Sequence, residues 1–175
     1  MSKTIRMTLG VDSINKAIEE LELYRARLKQ KTSLFCQRLA EIGLTTIEAH
    51  KYSEYVSSAD YNDLRSYVWL EESGSSTTAT LVLNGKDVAF IEFGTGVHYN
   101  GPVGGSPNPF GQQFGMTIGS YGKGKGAQDS WVYFDEELHR FHKTNGIKAA
   151  QPMAYADEEI RKRFLSVAKE VFGNE

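Results

Sequence analysis

The chain has 175 residues, 40% of them hydrophobic and 24% charged, which places it in the globular range and in the size class of a single domain. Twenty Lys and Arg against twenty-two Asp and Glu give a formal charge of −2, so there is no basic excess with which to hold a polyanion, and general nucleic-acid binding is not expected. Cys36 is the single cysteine and cannot form an intrachain disulfide. No apolar run approaches the roughly 20 residues that span a bilayer, and the first residues lack the apolar core of a signal peptide, so folding in a reducing cytoplasm is expected.

Ile14, Ile18, Leu21, Arg25 and Leu28 recur at three- and four-residue spacing, with Lys16, Glu19, Glu20, Glu22, Arg27 and Lys29 between them. This predicts an amphipathic helix over 13–29, with Asp12 or Ser13 supplying the N-cap oxygen. After the polar stretch from Lys29 to Ser33, the same period returns in Leu34, Phe35, Arg38, Leu39, Ile42 and Thr46. Either a second helix follows over 33–50 or the first continues through a bend. Gly43 weakens that region by about 1 kcal/mol relative to Ala without having to end it.

The runs Tyr67–Leu70 and Thr78–Leu83 are rich in β-branched and aromatic residues and predict strands. Asn84-Gly85 is the dipeptide favoured by a two-residue type I′ turn, so a hairpin is expected to lead into Lys86. The run from Asp87 to Gly94 admits two readings: a strand start with a helical turn at its end, which is favoured, or a short helix capped by Asp87 and stopped by Gly94. Trp131–Phe134 predicts a further strand, returning the chain to the core. Pro152 suits a first helical turn, and Tyr155, Ile160, Phe164, Val167, Ala168 and Val171 mark one face of a helix from about Pro152 to Phe172. The fold class expected is α+β: N-terminal helices and a C-terminal helix on a small antiparallel sheet, as one domain over 1–175.

Residues 94–130 stand apart. They hold eleven of the seventeen glycines, three of the four prolines and three charged residues, Lys123, Lys125 and Asp129. Such a segment has no periodic apolar face and is costly to order, which predicts a long loop or arm inserted in the domain. Tyr99, Phe110, Phe114 and Tyr121 lie within it. A solvated loop has little use for four aromatic rings unless they dock, and docking on a partner is the favoured reading over self-packing. Lys123 and Lys125 at its glycine-rich tip are open to three readings: contact with a phosphate backbone, with an acidic groove, or with nothing.

Chemistry-bearing patterns are sparse. Glu136, His139 and His142 have part of the spacing of a helical metal site, but no second Glu-x-x-His, His-Glu-x-x-His or neighbouring cysteine completes it, and a polar turn is expected. Gly119 to Gly126 approaches a phosphate-binding loop, yet Gly126 stands where the magnesium-binding hydroxyl belongs. Cys36, between Phe35 and Leu39, has no local histidine to activate it. The acidic doublets Glu71-Glu72 and Glu136-Glu137 point their side chains apart, unlike an opposed acid/base pair. Neither catalysis nor a cofactor is expected.

A resemblance gives these parts a context. The order Ala89-Phe90-Ile91-Glu92-Phe93-Gly94-Thr95-Gly96, a glycine-rich insertion, Trp131-Val132-Tyr133-Phe134, then Gly146-Ile147-Lys148-Ala149-Ala150-Gln151-Pro152-Met153 entering a helix resembles the gene-product-ten-like neck, or tail-completion, proteins of long-tailed bacteriophages. The helical start from Lys16 to Leu28 and from Phe35 to Gly43 resembles the same family, so the match covers most of the chain. Where family members carry Trp-Thr-His-Gly, this chain has Phe141-His142-Lys143-Thr144-Asn145-Gly146.

The resemblance implies a structural virion protein without catalysis, metal or cofactor. It would join head connector and tail tube as a sixfold or twelvefold ring of identical subunits, in contact with other neck, connector and tail-tube proteins. DNA would at most pass through the channel, and no membrane is involved. A ring uses heterologous contacts, in which one patch meets a different patch on the next copy. The candidate contact residues are Glu92, Phe93 and Gly94 at the base of the arm, Tyr99, Phe110, Phe114, Tyr121, Lys123 and Lys125 along it, and Trp131 where it ends. Ile91 and Phe93 are expected to anchor in the core. Glu92 is assigned either an internal hydrogen bond at the arm's base, which is favoured, or a basic partner on the next subunit. The rival readings are a tail terminator of the same junction and a small metal-dependent enzyme built from His98, Glu136, His139 and His142.

Overall fold

The computed structural model describes residues 5–6, 8–51, 64–74, 76–85, 88–94, 110, 113, 131–136, 138–144 and 149–173. In chain order these form α1 (Val11–His50), β1 (Arg65–Ser73), β2 (Ser76–Asn84), α2 (Val88–Phe93), β3 (Trp131–Asp135), β4 (Arg140–Thr144) and α3 (Pro152–Phe172). The class is α+β. Among the described residues the strands form two two-stranded antiparallel sheets, β1–β2 and β3–β4. No helix among the described residues is long and apolar enough to cross a membrane.

The two predicted N-terminal helices are one. The polar stretch Lys29–Ser33 holds neither glycine nor proline, and Thr32 returns its hydroxyl to the Leu28 carbonyl at 2.9 Å within the unbroken helix. Forty residues at a 1.5 Å rise make α1 about 60 Å long. Its N-cap is Gly10, with no side-chain cap, where Asp12 or Ser13 was expected. Asp12 lies in the first turn, where its charge suits the helix dipole, and Ser13 Oγ accepts the Thr8 N–H at 2.9 Å.

The hairpin also differs from expectation. Arg65 pairs with Asn84 and Ser73 with Ser76, so the turn lies between Ser73 and Ser76, and Asn84-Gly85 closes the second strand. Gly74, at φ +57°, supplies the left-handed residue such a tight connection requires. The favoured strand start before Gly94 is overturned as well: Val88–Phe93 is helical. Gly94 stops it at φ +74° and donates its N–H to the Phe90 carbonyl at 2.7 Å.

The C-terminal half of α1 is the spine of the molecule. On one side α3 runs antiparallel to it. The His50 ring stacks on Tyr155 at 4.4 Å, Phe35 meets Phe164 and Phe172 at 5.2 and 5.7 Å, and Arg38 reaches Glu170 at 3.0 Å. On another side lies β1–β2, where Ser33 donates to Glu72 at 2.7 Å, the Cys36 thiol approaches the Thr77 carbonyl at 3.6 Å, and Ser66 donates to Glu48. Gly43 sits where all three elements meet: a Cβ there would come within 2.8 Å of Ile160 and closer still to Leu81. Buried Ala40 and Ile47 of α1, Leu64, Ile91 and Phe93, and Ala156, Val167 and Val171 of α3 make a thin core at this end.

The strand β3 forms where expected, and Val132 and Phe134 on one of its faces are exposed. Its partner is β4, with Tyr133 opposite His142 and Phe134 opposite Phe141, whose rings lie 5.1 Å apart. Alternation in Phe141-His142-Lys143 was the overlooked strand signal.

Candidate functional site: the base of the arm

Gly94 to Ser130 were read as an arm, and the structure describes its base. Six residues of α2 carry Ile91, Glu92 and Phe93 into the interior, where Ile91 is fully buried. Helix α3 begins opposite. Its first turn must find partners for N–H groups that no preceding turn can accept. Pro152 at the first position has no N–H to satisfy. Met153 and Ala154 donate to the two carboxylate oxygens of Glu92, at 2.9 and 3.0 Å. Just upstream, Ala150 donates to the Ile91 carbonyl at 2.8 Å and Gln151 approaches the same oxygen at 3.4 Å. Gln151, in the left-handed region at φ +53°, gives no side-chain cap.

Glu92 is therefore the cap of a helix some sixty residues downstream. A buried carboxylate is costly unless hydrogen-bonded, and the positive end of the α3 dipole with two aligned donors supplies that compensation. The internal hydrogen bond is the role the structure shows for Glu92. Of the two sequence segments that carry the resemblance, 91–96 and 146–153, the described parts, 91–94 and 149–153, meet at this joint.

The other candidate contact residues separate into groups. Phe93 and Gly94 are buried within the chain. Phe110 is exposed in a turn whose Gln113 N–H returns to its carbonyl at 3.0 Å. Trp131 begins β3 opposite Thr144. Tyr99, Phe114, Tyr121, Lys123 and Lys125 lie outside the described residues, as do His98 and the glycine-rich 119–126 stretch. In the rival metal site, Glu136 and His139 fall in the β3–β4 turn. His142 Nε2 accepts the Arg140 Nε–H at 2.8 Å and faces Asp135 at 3.8 Å. Among the described residues no group of three or more His, Cys, Asp or Glu is placed to share a metal ion.

Two exposed apolar surfaces were not anticipated. The outer face of β1 presents Tyr67 and Trp69, the latter 63% exposed, and along the N-terminal half of α1 Ile14, Ile18, Leu21 and Leu28 are exposed, although Ala17 beside them is buried. Both were visible as apolar residues, but period alone does not say whether a face finds a partner. Comparison of the chain with protein-family models, curated proteins and solved structures found no match.

Proposed function

We propose that this chain is a structural subunit of the neck of a long-tailed bacteriophage, joining head connector to tail tube in a ring whose subunits touch through the 94–130 arm. The observation that carries the reading is the joint between Glu92 and the first turn of α3, which ties both resemblance segments together at the root of the glycine-rich segment. A rooted base with an aromatic-bearing extension suits a part that must reach a neighbour without loosening its own fold. Ordering the arm costs conformational entropy, and burial of Phe110, Phe114 and Tyr121 against the next subunit offsets it. The outer β1 face, with Tyr67 and Trp69, offers an apolar patch of the kind that marks protein contacts.

Deleting residues 102–126 tests the proposal. The shortened chain is expected to keep the far-ultraviolet circular dichroism and cooperative melting of the helical core while failing to restore tail attachment to particles lacking this protein. Normal attachment by the shortened chain would overturn the role given to the arm.

A further inference from the structure

Ring contacts of α1 with α3 reach Phe35, and an ion pair with the hairpin reaches Lys29, which faces Glu72 at 3.9 Å. The turns from Val11 to Leu28 run about 27 Å farther, and among them only Ala17 is buried. Along them Val11, Ile14, Ile18, Leu21, Arg25 and Leu28 keep a strict three-four spacing, the period of a helix-pairing seam. Farther on, Phe35, Leu39 and Ile42 continue the same stripe beneath α3 and the hairpin, so the exposed part prolongs an interface already in use. Ile18 is 48%, Leu21 55% and Leu28 44% exposed.

Charge along these turns is divided into blocks. From Val11 to Glu22 there are four acids, Asp12, Glu19, Glu20 and Glu22, against one base, Lys16. From Leu23 to Lys31 there are four bases, Arg25, Arg27, Lys29 and Lys31, and no acid. Helix α3 interleaves its charges instead, pairing Asp157–Arg161, Glu158–Lys162 and Glu159–Arg163 at 2.9, 2.8 and 3.0 Å. In α1 the residues four after Glu19, Glu20 and Glu22 are Leu23, Tyr24 and Ala26, so the acids and bases of this segment are sorted by block and not interleaved in that way.

We propose that the N-terminal half of α1 pairs with the same segment of a second copy of this chain, antiparallel, crossing near Leu21–Arg25. Antiparallel packing sets each acidic block against the other's basic block, and brings Glu22 beside Arg25 of the second copy. Parallel packing would set acid on acid, base on base, and Arg25 on Arg25. Ile18 then faces Leu28 of the second copy. Ile14 of the second copy enters a shallow depression of about 350 Å³ walled by Leu28, Lys29, Thr32 and Gly74. The contact is two-fold and self-closing, so it yields a dimer and leaves the arm and hairpin faces for other contacts. It does not depend on the neck reading.

Analytical ultracentrifugation of the full chain from about 1 to 200 µM tests this, because a dimer assembles by mass action. A dimer is expected that weakens at least ~10-fold between about 0.05 and 0.5 M salt, as exposed charges become screened. Ile18→Glu with Leu21→Glu, both on exposed positions, should give a monomer that keeps most of its helical circular dichroism. Glu19→Lys, Glu20→Lys, Glu22→Lys in one chain and Arg25→Glu, Arg27→Glu in another should each be monomeric, and mixing the two should restore a heterodimer. In a Cys36→Ser background, a short thiol cross-linker should join Ile18→Cys chains to Leu28→Cys chains and neither to itself. A wild-type monomer throughout the range, a dimer indifferent to these substitutions, or predominant 18-to-18 cross-linking would each overturn the proposal.

Discussion

Glu92 shows how much of a fold can depend on one carboxylate. It satisfies both first-turn donors of α3 that have a hydrogen to give, and it does so from the interior. Glu92→Ala would leave Met153 and Ala154 N–H groups without acceptors and remove a charge from the helix's positive end, a loss of about 3 kcal/mol. Glu92→Gln keeps one acceptor without the charge and is expected to cost about half as much. Urea unfolding followed by circular dichroism reads both, and an alanine variant as stable as the parent would contradict the capping role. Gly94 is a second single-residue dependency. At φ +74° a β-carbon is strained, so Gly94→Ala should lose about 1 kcal/mol or more in the same assay. The sequence showed Ile-Glu-Phe-Gly as a motif and allowed an internal bond to Glu92. It could not show that the acceptor served a helix start, because Met153 and Ala154 are apolar and their backbone donors leave no mark in composition.

At the scale of elements, the triple contact of α1, α3 and the β1–β2 hairpin turns on small volumes. Gly43 lets Leu81 and Ile160 close over the spine, and Gly43→Leu would force them apart, an overpacking loss of about 1–3 kcal/mol despite leucine's better helix propensity. Phe35, set edge-on to Phe164 and tilted to Phe172, joins the middle of α1 to the C-terminal half of α3, and Phe35→Ala is expected to cost about 3 kcal/mol. Thermal unfolding of the two variants would separate these effects, and a Gly43→Leu chain with unchanged melting would show that the hairpin yields easily. Helix α3 was legible nearly to the residue, since Pro152 and Gly173 bracket one apolar period. The hairpin turn was misplaced because Asn-Gly is the stronger turn signal in isolation. Cross-strand register over nine pairs outweighed it and set the turn at Gly74.

For the molecule as a whole, burial among the described residues is concentrated at one end. The fully buried side chains among the larger residues, Ile47, Ile91 and Pro152, lie where α1 ends, α2 sits and α3 begins, whereas in the first turns of α1 only Ala17 is buried. An isolated helix of that length is marginal in water. Amide hydrogen exchange is therefore expected to be fast over 11–25 and slow over 35–50 in dilute solution, with protection over 11–25 rising as concentration favours pairing. Uniform protection along α1 at low concentration would contradict this division. The sequence by itself determined the α+β class, the long amphipathic helix, the terminal helix and the break in character at 94–130. Each of these is written in local periodicity and composition, which act over a few residues. The tertiary structure alone decided that α1 is unbroken, that burial along it falls mainly in its C-terminal half, and that Glu92 caps α3. Those outcomes depend on which distant segments meet, and hydrophobic burial, being non-directional, leaves that choice to the packing of the whole chain.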